Sequence, residues 1–276
     1  MERRTPIWTT VKYLSLLIAV FGVLYPPYII VANAFKTRDE FNLKPATSLP
    51  DSFLNFGNFG KAYQAADMTS AFGNQLIIIV CTLILNIALG SAFCYAVGRF
   101  KFKGSGFIIG LFMFATIIPG ITTQVVNFKT IQSLGLHDHL GGPVLLYVGA
   151  DVLMIFIYLQ FIRNIPYELD ESAMMEGASL LKIFTTIIFP LLVPATATIA
   201  ILKVIAIYND FFVPLLYLPS PEKVVVSTSL MRFFGNNSGD WQMVSAALLI
   251  IMIPTALLYL FLQRYIFAGV TNGAVK

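Results

Sequence analysis

The chain reads as an all-α integral membrane protein with six transmembrane helices, and three observations predict it. Only 12% of its 276 residues are charged, about half the roughly 25% usual in soluble proteins. Mean hydropathy is +0.79, and phenylalanine alone occurs 24 times. Uncharged apolar runs fall at 14–35, 68–98, 104–128, 183–202 and 241–263, and a sixth, 140–162, is interrupted once, by Asp151. A hydrocarbon core of ~30 Å needs about 20 helical residues, so each run is long enough to cross it. The net charge of +4 does not point to nucleic acid, because lysines and arginines stand at the ends of apolar runs rather than on one basic face.

Each element follows from its run, within a single transmembrane domain covering 1–276. The first span is placed at 13–35. Ala32-Asn33-Ala34 has the small-x-small form of a signal cleavage site, but a signal core runs to ~7–15 residues, so the span is expected to be retained. The second, 71–98, holds both cysteines, Cys81 and Cys94, more than three helical turns apart and unable to bridge within it. The third lies at 105–127, the fourth at 142–162, the fifth at 184–207 and the sixth at 242–263. Pro26-Pro27, Pro119, Pro190, Pro194 and Pro254 predict kinks, which neighbouring helices can satisfy.

Orientation comes from the short loops. Arg99, Lys101 and Lys103 crowd one tight connection, and Arg3, Arg4 and Lys12 precede the first span. These segments are expected in the cytoplasm. Loops 36–67, 129–139 and 208–240 are then outside, and 163–182 is inside.

That inner loop is unusual. Glu168, Asp170, Glu171 and Glu176 are four of the chain's 14 acids, gathered between two apolar runs. Pro166 suits the start of a helix, the early carboxylates suit its positive end, Gly177 ends it, and Ser179 caps the next. The predicted product is a short helix whose Glu168, Glu171 and Met175 share a face by i, i+3, i+7 spacing. A carboxylate face beside adaptable methionine fits a surface that docks another protein; a solvated loop helix fits the same pattern.

The spacing Glu171-Ser172-Ala173, three residues, Gly177, nine residues, Ile187-x-Phe189-Pro190 resembles the EAA motif of the permease subunits of ABC importers. Ser172 and Phe189 depart from that motif while keeping size class or hydrophobicity. The likeness extends through "CYAVGRFKFKG" (94–104), "IIPGITTQ" (117–124), "SLGLHD" (133–138), "YNDFFVPLL" (208–216) and the C-terminal "LQRYIFAGVTNGAVK". The chain thus resembles the maltose-transporter G-type permease subunits of carbohydrate ABC importers.

That resemblance implies a type I ABC importer permease fold, with loop 163–183 forming a cytoplasmic coupling helix. It implies ATPase-coupling roles for Glu168, Glu171, Ser172, Ala173, Met175, Glu176, Gly177 and Pro190, with Glu171 facing a basic residue of the ATPase. It implies contact with a binding protein at Gly235, Asn236, Asn237, Ser238, Gly239 and Asp240, where a plain surface turn is the alternative. Tyr208, Asn209 and Asp210 are candidates for the translocation path. The implied partners are a second homologous permease, an ABC ATPase dimer, an extracytoplasmic sugar-binding protein and the lipid bilayer, with no nucleic acid. The implied place is the bacterial cytoplasmic (inner) membrane, with both termini cytoplasmic.

No enzyme chemistry is expected of the chain itself. It holds no G-x-x-x-x-G-K-[ST] phosphate loop, so ATP and Mg are expected on the partner ATPase and no cofactor here. His137 and His139 make no metal set alone. Lys203 is expected to snorkel its ammonium out of the fifth span. A non-sugar ABC importer and an ion-coupled secondary transporter are the rival readings; the second would need coupling carboxylates inside the spans.

Overall fold

The computed structural model describes residues 6–274 apart from 101, 150 and 235–239, with side chains described over 8–260. The described residues are helical, turn or irregular, with no strand. They divide into two compact units.

The first unit comprises Met1–Thr69 and Ser229–Ala256. Helix α1 (Pro6–Ala34) continues across Pro26 and Pro27 without a break, and its apolar side chains from Val11 to Leu24 stay exposed within the chain. Its C-terminal end is buried instead. Ala32, Asn33 and Ala34 are all within 2% of full burial, because the following loop is stitched onto them. Asn33 Nδ2 donates to the Ile29 and Ala46 carbonyls, and Asn58 Nδ2 donates to those of Ala34 and Lys36 at 2.8 Å. Lys36 is held in the same way. Its side chain is wholly buried and its Nζ donates to the Pro45 carbonyl at 2.9 Å. Phe35 packs on Phe53, Phe56 and Phe59 with centroids 5.1–5.6 Å apart. Helices α2 (Arg38–Leu43) and α3 (Gly57–Ala65) complete this loop.

The second unit comprises Ser70–Thr228 and Leu257–Lys276. Helix α4 (Met68–Arg99) enters it as one unbroken apolar rod of 32 residues. Helices α5 (Ser105–Ala115) and α6 (Gly120–Ser133) follow, bent by 101° from one another. The kink expected at Pro119 is thus a full break, in which Pro119 stands as the cap residue before α6. Next come α7 (Gly141–Val148) and α8 (Val152–Asn164), separated at Gly149–Asp151. Helix α8 lies parallel to α4 along a stripe of small residues. A Cβ on Gly90 would meet Met154 Sδ at 2.4 Å, and one on Gly98 would meet Leu159 Cδ2 at 2.9 Å. Between them Cys94 is buried, with Sγ 3.8 Å from the Ile155 carbonyl. Small residues let apolar helices approach closely where no water drives them together. Cys81, by contrast, is exposed.

Helix α9 (Glu168–Met175) is too short to span. After it, α10 (Leu180–Ile183) passes through a π-helical turn, Phe184–Ile188, into α11 (Phe189–Leu191). The π turn stands just before Pro190, which has no N–H to give to the preceding helix. Helix α12 (Val193–Asn209) then departs at 72°. Short α13 (Phe212–Tyr217) and α14 (Val226–Ser229) lead to α15 (Trp241–Ala274), which carries Pro254 without breaking. Among the described residues three helices are individually long and apolar enough to cross a bilayer, and the count reaches up to six when each bent pair serves as one span.

Candidate functional site

Helix α9 is the expected short helix; it starts after Tyr167, with Pro166 outside it and no side-chain cap, and its C-terminal end is built as its residues dictate. Gly177 adopts φ +80°, the left-handed conformation open to a residue without Cβ. Gly177 N–H donates to the Met174 carbonyl at 2.9 Å and Ala178 N–H to that of Ala173 at 3.0 Å, which together make a Schellman stop. Ser179 then caps α10, its hydroxyl accepting from Lys182 N–H.

The helix is held from below by a group that charge counting treats only as an orientation marker. Arg99 ends α4, and all three of its nitrogens are engaged. Nε donates to Asp170 Oδ2 at 2.9 Å. Nη1 donates to the Ile165 carbonyl at 2.7 Å and the Ile162 carbonyl at 3.4 Å. Nη2 donates to the Pro166 carbonyl at 2.8 Å and shares Asp170 Oδ2 with Nε. The guanidinium carbon also lies 5.2 Å from the centre of the Tyr167 ring, within cation–π reach. Tyr95, one turn before Arg99, donates its hydroxyl to Asp170 Oδ1 at 3.0 Å. Asp170 is 1% exposed and Arg99 9%. Asp170 is therefore not one more carboxylate at a helix start: it is the buried anchor of the acidic stretch. The signal in sequence was the i, i+4 pair Tyr95 and Arg99 at the end of an apolar helix, with Asp170 and Ala173 on the face of α9 opposite Glu168 and Glu171.

With Asp170 and Ala173 turned inward, α9 presents Glu168, Glu171, Ser172 and Met175 outward, all exposed, as are Glu176 and Gly177. Met175 is 89% exposed. Ala173 belongs instead to the core formed with Cys94, Tyr95, Ile162 and Ile183. Pro190 is exposed in α11, on a different element from the α9 face.

The path candidates have three separate surroundings. Tyr208 is buried, Asn209 is exposed and donates to its own helix at the Ile205 carbonyl, and Asp210 accepts hydrogen bonds at both carboxylate oxygens. Asp210 Oδ1 accepts from Phe212 and Val213 N–H at 2.8 and 3.2 Å, and Oδ2 accepts from the Tyr147 hydroxyl at 2.9 Å. Residues Gly235, Asn236, Asn237, Ser238 and Gly239 lie outside the described residues. Asp240, which follows them, pairs with Arg38 Nε at 3.3 Å.

Lys203 does not snorkel. Its Nζ lies 2.9 Å from Asp151 Oδ2, while Asp151 Oδ1 caps α8 by accepting from Met154 N–H at 3.1 Å. The pair borders a cleft of about 210 Å³ lined otherwise by aliphatic side chains of α8 and α12. Loop charges elsewhere are structural too. The Asp138 carboxyl is held below its ordinary value by the Ser220 hydroxyl first and by Lys223 after it.

The model of the family described as binding-protein-dependent transport system inner membrane component matches residues 90–272. Over 274 residues the chain is 32% identical to the melibiose/raffinose/stachyose import permease protein MelC of Bacillus subtilis, covering 97% of each chain. Over 209 residues it is 35% identical to the trehalose/maltose transport system permease protein MalG of Thermococcus litoralis, covering 74% of each. Its fold is similar to a chain of a bacterial ABC transporter involved in the import of the acidic polysaccharide alginate, with TM-score 0.83 and 21% identity over 96% of this chain and 98% of that one.

Proposed function

The chain belongs to the binding-protein-dependent transport system inner membrane component family, and we propose that it works as the permease subunit of an ATP-driven importer. Its cargo is a sugar or oligosaccharide, handed over by an extracytoplasmic binding protein and passed across the cytoplasmic membrane by alternating access. The cargo class rests on relatives named for melibiose, raffinose, stachyose, trehalose and maltose. A second, homologous permease completes the path, and an ABC ATPase dimer binds and hydrolyses ATP with Mg. Both termini face the cytoplasm, as does α9.

The observation that carries this reading is the outward face of α9. Two carboxylates, a serine hydroxyl and a nearly bare methionine lie on one side of a rigidly anchored helix outside the spans. Such a face fits a groove with basic walls and an apolar floor. Closure of the ATPase dimer then pushes or pulls α9, and the spans respond as rigid bodies about a central site. The loop at Gly235–Asp240 meets the binding protein in this scheme.

Affinity purification of the tagged chain from its native membrane tests the reading, once as wild type and once as Glu171→Lys. The wild type is expected to bring an ABC ATPase and a second permease, and the variant to lose the ATPase while keeping the permease. A wild type that emerges alone under gentle detergent, with uptake driven by a proton or sodium gradient, would overturn it.

A further inference from the structure

We propose that Arg99 and Asp170 form the mechanical joint through which displacement of α9 reaches the membrane helices. The proposal rests on the permease reading above and assigns a positioning role to two residues which that reading leaves unused.

The outward face of α9 can receive a force, but something must carry it inward. Only a few contacts are available. Ala173 offers the core a single methyl group. The link to α10 runs through Gly177, which a push would flex. The link from α8 is the three-residue connection 165–167, whose carbonyls at Ile165 and Pro166 are themselves held by Arg99. Asp170 is what remains. It is the buried charge of α9, and both of its oxygens are bound to α4, Oδ1 by Tyr95 and Oδ2 by Arg99.

The guanidinium does more than pair with that carboxylate. Its planar fork joins the end of α4, the Ile162 carbonyl in the last turn of α8, the backbone of the connection and α9. Displacing α9 without moving the ends of α4 and α8 would strip a buried carboxylate from a buried cation, and removing one partner from such a pair is strongly unfavourable. Moving all three together breaks nothing. From α8 the contact continues to α12 through Tyr158 and Thr196, 3.0 Å apart, and through Asp151 and Lys203. A lysine at 99 would supply the charge but not the fixed five-donor geometry.

The test uses the assembled transporter with its own ATPase, in lipid nanodiscs. Cys81 and Cys94 are replaced by Ser and Ala, and a single cysteine is placed at Leu202, which borders the α8–α12 cleft. The rate of labelling by a small thiol reagent is read with and without ATP and vanadate, alongside ATP hydrolysis. In the wild-type background nucleotide is expected to change the labelling rate. With Asp170→Asn the ATPase should still be bound and hydrolyse ATP, while the nucleotide response at 202 falls about fivefold, in the range by which residues within a coupling network alter communication.

Should Asp170→Asn reduce assembly, Tyr95→Phe removes one hydroxyl from the same carboxylate and is expected to lower the response about twofold. An unchanged response in whichever variant assembles overturns the joint, as does a reference protein that holds its ATPase yet shows no nucleotide response at 202. A reference protein that holds no ATPase overturns the permease reading instead, whatever the variants do.

Discussion

Lys203 and Asp151 show how a charge inside a membrane helix is made tolerable. Desolvating an ammonium and a carboxylate is costly, and here the two face one another at 2.9 Å. With side-chain exposures of 13% and 22%, the pair is neither sealed nor fully wet. A double-mutant cycle measures its worth. Asp151→Asn retains an oxygen to cap Met154 N–H and so isolates the charge; Lys203→Met removes the other partner. The thermal unfolding of the purified protein should show each single change destabilising and the double less so than their sum, with a coupling energy of about 1–3 kcal/mol. Strict additivity would mean the pair is screened and holds nothing together. The same contrast marks what single residues disclose beforehand. Gly177 and Ser179 were legible because a helix stop and a cap are settled by partners three to five residues away. Arg99 and Asp170 stand 71 positions apart and Asp151 and Lys203 52 apart, so nothing local distinguishes a paired charge from a solvated one.

Helix α2 is an element held almost wholly by its ends. Thr37 accepts from Glu40 N–H while Glu40 Oε2 accepts from Thr37 N–H at 2.7 Å, a reciprocal capping box. Glu40 Oε1 also accepts from Asp51 N–H at 2.7 Å, closing the far side of the loop. These backbone donors, Thr37 first and Asp51 after it, hold the Glu40 carboxyl down at about 2. An unfolded glutamate titrates near 4.3, so the loop is tightened at neutral pH and the effect is lost as pH falls from about 4 to about 2. Glu40→Gln should therefore speed hydrogen exchange at the Thr37 and Asp51 amides at pH 7, and the difference from wild type should shrink across that acidic window. A difference independent of pH would assign the effect to side-chain shape rather than charge. At this scale the sequence announced α9 through its acids, glycine and serine, and announced Pro119 as a weak point. It did not announce a 101° turn, because proline removes one hydrogen bond and crowds one carbonyl, whereas the angle depends on what the two segments pack against.

For the whole molecule, six crossings and the proposed orientation depend on how those bent pairs meet the bilayer. Among the described residues three helices suffice to cross when counted singly, and up to six when the bent pairs are counted as spans. The α5–α6 pair is the discriminating one, since a bend of 101° suits either a broken span or a segment that enters and leaves on one side. Two positions bracket it. Lys103 stands just before α5 and Leu134 just after α6, and both are exposed. In a background without Cys81 and Cys94, cysteines placed singly at 103 and 134 can be labelled in intact cells with a membrane-impermeant thiol reagent. If the pair crosses, 134 reacts from outside and 103 reacts only after the membrane is opened. The same labelling should find Leu54, 81% exposed on the loop after α1, reactive from outside and Met175 on α9 reactive only from within. Three crossings separate Leu54 from Met175, so opposite reactivity requires an odd number and places α9 where an ATPase can reach it. If 103 and 134 react from the same side, α5–α6 is re-entrant. Leu54 and Met175 must then share a side as well, unless α7–α8 also fails to cross, and the positive charge at 99–103 is no guide to which way the chain faces.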